Sequence, residues 1–304
     1  MARPHDGFFR APQSEACRGG ANFHRGGVPG VTSPVIRRLL LWLGLASALP
    51  AGLRAGPDVA DAWELVGRHL ANDARAGLQA GQEHGSRETV FAAAVVGMDT
   101  QPVTEAGLRQ VEARLTELAR GGDEIADASA YLIGRLYQAH FFTPDYPRAA
   151  QEYERLAAKS PGSYWAQLGL VKLALLRLYL LPEPGGPAAR LAAAEALLPR
   201  LSVLDLQRDA HLVIGRAALF HEQPMRGVLA HLLEADRLGG LTGLRRGELQ
   251  LQIAELSRRE GRWEQARIYF QRFVDENEVD GRVCIVKLKL AEIVEHQRVE
   301  GKRP

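Results

Sequence analysis

Ala130-Tyr131-Leu132-Ile133-Gly134-Arg135-Leu136-Tyr137 is followed by Asp145-Tyr146-Pro147-Arg148-Ala149, then by Tyr153 and Pro161. The spacing predicts two helices, 124–140 and 146–158, joined by a turn around Phe141-Phe142-Thr143-Pro144. So short a connection makes the two helices antiparallel neighbours. Gly134 and Ala149 are small residues that let such a pair approach closely, while Tyr137 and Tyr153 supply bulk to fill the space toward the next pair.

The same reading extends in both directions. From Asp58 onward a helical period recurs almost everywhere, and no run of alternating β-branched residues argues for a sheet. Thr104 opens one helix whose Leu108, Val111, Leu115 and Leu118 share a face, and Gly121-Gly122 closes it. Further helices are expected over 58–79, 86–97, 162–180, 187–200, 205–221, 224–238, 243–260, 262–276 and 281–298. Phe91-Ala92-Ala93-Ala94-Val95-Val96 is apolar enough to be fully buried. Pro182-Glu183-Pro184-Gly185-Gly186-Pro187 cannot be helical, yet helices of the same character flank it, so it reads as a long turn within one array. The expected fold class is all-α, a chain of antiparallel helical hairpins.

Laid over one another at a spacing of about 34 residues, the hairpins are self-similar. A second copy has Trp165, Leu168 and Gly169. A third has Ile214-Gly215 and Ala218, with Gly227 at the small position of its second helix. A fourth has Gly261-Arg262-Trp263-Glu264-Gln265-Ala266 with Phe270 and Phe273. This pattern resembles a divergent, exported bacterial type of tetratricopeptide-repeat protein. In that resemblance Gly134 and Ala149 are the small residues, Tyr137 and Tyr153 the aromatics, and Pro161 the terminator. The first copy departs from it by about three extra turn residues around Phe142, and the last by Glu278 where the family places Pro. The resemblance spans residues 124–298 and implies a right-handed superhelix, an α-solenoid, whose first helices line a concave groove. Residues 56–123 are then degenerate repeats or a cap, the helix 283–296 a closing cap, and 299–304 a tail.

Carried over by register, the groove-lining residues are Arg135, Gln138, Arg216, Glu255, Arg258 and Lys289. Arg135 and Arg216 occupy the same repeat position, which points to an acidic or carboxylate-bearing segment as the ligand.

The N-terminus reads differently. Arg37-Arg38 precede an uncharged stretch from Leu39 to Leu53, and small residues follow it, the layout of a secretory signal over 31–55 cut after Ala55. Fifteen residues interrupted by Pro50 fall short of the roughly 20 that span a bilayer. Residues 1–30, rich in Gly and Arg, read as an untranslated or disordered leader with the natural start near Val31. An exported, periplasmic chain follows, with no integral span once the signal is removed. Such a chain retains Cys284 alone, in an apolar helical run, so an unbridged, buried cysteine is expected.

The formal charge is +2, but residues 1–55 hold seven Arg against two acids, so the remainder is mildly acidic and has no basic run to track a phosphate backbone. Nucleic acid is therefore not the expected partner. His221-Glu222-Gln223-Pro224-Met225 lacks the second His of a helical zinc-protease motif, and Pro224 interrupts the helix. His211, His221 and His231 are spaced by ten, which aligns them on no single helix, and read as surface or interfacial histidines. Gly185-Gly186 and Gly239-Gly240 lack the Lys and Ser/Thr of a phosphate loop. The expectation is a non-enzymatic scaffold with no cofactor that binds a protein or peptide segment. The alternative is an envelope structural component or an accessory subunit of a cell-wall enzyme.

Overall fold

A computed structural model of the protein describes residues 57–79 and 85–300. The expected leader and export signal over 1–55 lie outside the described residues. Among those residues are thirteen α-helices and no strand, so the fold is all-α. The helices are α1 Pro57–Gly67, α2 Ala71–Gln79, α3 Arg87–Asp99, α4 Glu105–Leu118, α5 Glu124–Arg135, α6 Tyr146–Lys159 and α7 Tyr164–Tyr179. They continue as α8 Gly186–Glu195, α9 Leu204–Phe220, α10 Met225–Leu238, α11 Gly243–Arg259, α12 Trp263–Glu276 and α13 Val283–Glu300. No helix among the described residues is long and apolar enough to cross a membrane.

Local chemistry sets many of these boundaries. The side chains of Thr104, Asp123 and Asp145 accept the backbone N–H three residues on, at 3.1, 2.9 and 3.0 Å, and so start α4, α5 and α6. Gly239 and Gly261, with φ of 71° and 69°, end α10 and α11.

Three expected helices are shorter than their hydrophobic period suggests. The segment 58–79 is split, because His69 takes a left-handed φ of 62° and the Leu70 N–H reaches back to the Leu65 carbonyl at 2.9 Å. The segment 124–140 turns from α-helix into a π-turn over Leu136–His140, closed by the Phe141 N–H on the Leu136 carbonyl at 3.0 Å. The segment 187–200 leaves the α-helix at Glu195 and finishes as a 3₁₀ turn containing Pro199.

Each helix packs on the next from α1 to α13, as connections of a few residues require. Helices two apart also touch: α1 with α3, α3 with α5, α5 with α7 and α7 with α9. Odd-numbered helices from α1 to α9 therefore form one contiguous row. On odd-numbered helices, α11 included, glycines meet side chains of the even-numbered helices. A Cβ on Gly97 would lie 2.8 Å from Val111, on Gly169 3.2 Å from Tyr153, on Gly215 3.1 Å from His231 and on Gly247 3.1 Å from Phe273. Gly134 is tighter still against the Tyr153 ring. Gly227, expected to serve the same purpose, is exposed with open space around it: in this pair the close approach is made by Gly215 alone.

One apolar core runs from Ala94 in α3 to Ile293 in α13. It is crossed by an aromatic file in which the Tyr131 ring sits 5.9 Å from that of Tyr153 and 5.5 Å from that of Trp165. A second, smaller core joins Val59, Ala62, Ala74 and Leu78 to Ala92, Ala93 and Val96. Phe91 and Val95 in the same run are half-buried rather than fully enclosed. Cys284 is half-buried and disulfide-bonded, a correction to the unbridged, buried cysteine expected above; its partner lies outside the described residues.

Candidate functional site

The six groove residues expected from register fall into three places. Arg135 and Gln138 are half-buried at the end of α5, where Gln138 Oε1 accepts from both the Arg135 guanidinium and the Tyr153 hydroxyl at 2.8 Å. Arg216 stands exposed on α9. Glu255, Arg258 and Lys289 form one ion cluster across α11 and α13, with both cations 2.8 Å from the Glu255 carboxylate. Those hydrogen bonds and charges, the Arg258 bond foremost, hold Glu255 down to about 2. Glu255 has thus neutralised much of what that cluster would offer a ligand.

Arg135 and Arg216, by contrast, form no ion pair among the described residues. A third cation joins them. Lys172, half-buried on α7, also has no ion pair among these residues; burial lowers its ammonium below the ordinary value, and the nearby Arg135 charge lowers it further. Asp209 on α9 opposes this shift, but its carboxylate is already held by the fully buried Arg208 at 2.8 Å. His140, beside Arg135, is lowered chiefly by burial and then by the same guanidinium. Three cations thus lie on α5, α7 and α9, three successive helices of the odd row.

At the C-terminal ends of α7 and α9 this positive surface meets an aromatic one. Tyr179 lies two turns beyond Lys172, on the same face of α7, and feels the Arg216 charge. Its ring is 5.9 Å from Phe220, in an edge arrangement, and 6.0 Å from His221, stacked. Phe220 is 71% exposed and Tyr179 40%, an apolar pair left open to solvent. Neither Lys172 nor this pair belongs to the register-derived set. A lone Lys inside Val171-Lys172-Leu173-Ala174 was the available signal for the first; the pairing of Tyr179 with Phe220 depends on how α7 meets α9.

Elsewhere, a cleft of about 360 Å³ opens where the extra turn residues Thr143 and Pro144 stand beside Arg109 and Arg148. Both guanidiniums are committed: each lies 4.1 Å from a ring centroid, of Phe141 and Tyr137, and each pairs with Glu112. His211 and His231 come together across α9 and α10, Nδ1 to Nδ1 at 3.0 Å, with Glu195 3.2 Å from the other nitrogen of His231. Among the described residues no group of three or more His, Cys, Asp or Glu is arranged to hold a metal ion. The chain matches no protein-family model, no curated protein and no solved structure.

Proposed function

We propose that the chain is an exported scaffold of the tetratricopeptide-like, superhelical kind, and that it binds an acidic protein segment along α5, α7 and α9. The observation that carries this reading is the set Arg135, Lys172 and Arg216, cations on neighbouring helices of the odd row that form no ion pair among the described residues, ending at the exposed Tyr179–Phe220 pair. Carboxylates of a bound segment supply the missing counter-charges, Arg216 taking one through its planar fork. An apolar side chain of the segment covers the aromatic pair, the kind of anchor on which such interfaces depend. Positioning by helices, with a Gly at each close approach, keeps this surface stiff, so little ordering free energy is lost on binding.

A test is fluorescence anisotropy with two labelled peptides, one Glu-rich and one Lys-rich, each carrying a single Phe. The Glu-rich peptide is expected to bind, to weaken as salt is raised, and to lose about tenfold in affinity, some 1.4 kcal/mol, with Arg216→Glu. Equal binding of both peptides, or indifference to Arg216→Glu, would sink the reading.

A further inference from the structure

We propose that α13 is a self-association surface, through which two copies of the chain pair as antiparallel helices about a two-fold axis at Ala291. The inner face of α13 is spent on the core: Val286 and Ile293 are buried, and His296 stacks on Trp263 with ring centroids 4.0 Å apart. The helix was expected to close the array as a cap, and a cap is polar on its outer face. Instead Ile285, Leu288 and Val294 are each more than half exposed, and Val299 nearly so. A stacked helical array needs a polar outer face on its last helix to remain single. This one lacks it.

The exposed positions specify an occupant. Lys287, Leu288, Ala291, Val294 and Glu295 all face outward and recur at three- and four-residue steps, the spacing of a helix–helix seam. In a two-fold antiparallel pair, residues equally distant from the axis face each other. About Ala291, Lys287 meets Glu295 of the second copy and Leu288 meets its Val294, each contact occurring twice. Ala291 meets itself, and its small side chain allows close approach at the crossing. No like charges are opposed. Lys287 forms no ion pair among the described residues, whereas Glu295 is held only by Arg298 on its own helix at 2.7 Å and keeps acceptor capacity for a second cation. A helix of this length offers a seam of about 27 Å at ~1.5 Å per residue, so the dimer is a modest one.

Sedimentation of the purified full chain in reductant, so that no disulfide contributes, tests this between about 1 and 100 µM, where modest interfaces dissociate. A reversible monomer–dimer equilibrium is expected. Lys287→Glu and Glu295→Lys are each expected to weaken it at least tenfold, with circular dichroism and melting of the monomer unchanged. An equimolar mixture of the two variants restores opposite charges at both ends of the seam, and its association should return to within about threefold of the parent. A chain that stays monomeric, a dimer indifferent to both substitutions, or a mixture that does not re-associate would each overturn the proposal.

Discussion

Gly134 on α5 lies flat against the ring of Tyr153 on α6, and a Cβ added to the glycine would come 2.8 Å from Tyr153 Cδ1. The ring has little room to withdraw, because Gly169 on α7 also packs closely against Tyr153 and the hydroxyl is bound to Gln138. Gly134→Ala therefore overpacks the core, at about 1–3 kcal/mol, and regains only about 1 kcal/mol of helix propensity. Urea unfolding should show a net loss. Gly227→Ala, at the small position of a second helix but in open space, should gain about 0.4–1 kcal/mol. Two effects of the same sign would contradict this packing.

Gln167 offers a second prediction. It is buried on α7, and its Oε1 accepts the backbone N–H groups of Ser202 and Val203 at 2.7 and 2.9 Å, while its Nε2 donates to the Ser202 hydroxyl at 2.9 Å. Gln167→Leu keeps the volume but strands two backbone donors, and should cost about 2–4 kcal/mol. Ser202→Ala loses only the hydroxyl and should cost about 1 kcal/mol or less, by the same unfolding measurement.

The Glu255 cluster predicts an acid dependence. Its carboxyl is held at about 2 against an ordinary 4.5, so the stabilisation it provides is complete above pH 4.5 and is lost as pH falls toward 2. Glu255→Gln should cost about 1 kcal/mol at neutral pH, the upper range for a solvent-accessible pair. The gap between variant and parent should close in melts taken below pH 4.5.

His211 predicts a dependence of the opposite kind. Burial, then the neighbouring His231, lowers its imidazole from the ordinary 6.5, with Glu234 opposing and Arg237 reinforcing the shift. The unfolded chain takes up a proton near 6.5 while the folded one resists it. Stability from this group is therefore full above that pH and falls below it, by at most about 1.4 kcal/mol per pH unit. His211→Gln should flatten the profile between pH 5 and 7, about the window in which histidines titrate. An unchanged slope would remove His211 from the account.

Helices were legible because a 3.6-residue period and Gly or Pro breakers are local properties. The roles of Gly134, Gly169 and Gly215 were legible because each stands near an aromatic or aliphatic partner in a repeating frame. Gly97 and Gly247 escaped that frame: their partners, Val111 and Phe273, become visible only once α4 and α12 are placed. The break at His69 was hidden because apolar residues on both sides continue one helical face. Of the candidate site, the positions of Arg135 and Arg216 could be read from register, but that neither pairs with a carboxylate among the described residues could not, since that depends on which helices adjoin. Glu255, Arg258 and Lys289 show the converse, residues of suitable type that satisfy one another.

α3 divides its allegiance, giving Ala92, Ala93 and Val96 to the small N-terminal core and Ala94 and Met98 to the long one. The first two described helices are thus joined to the rest through α3, the arrangement from which local opening is expected to begin. Detachment would bare the apolar flank of α3 and give the molecule an intermittent adhesive surface besides the one proposed on α13. Crowded together, such molecules would be prone to grow end to end, and fast exchange of the amides in α1 and α2 would be the first sign.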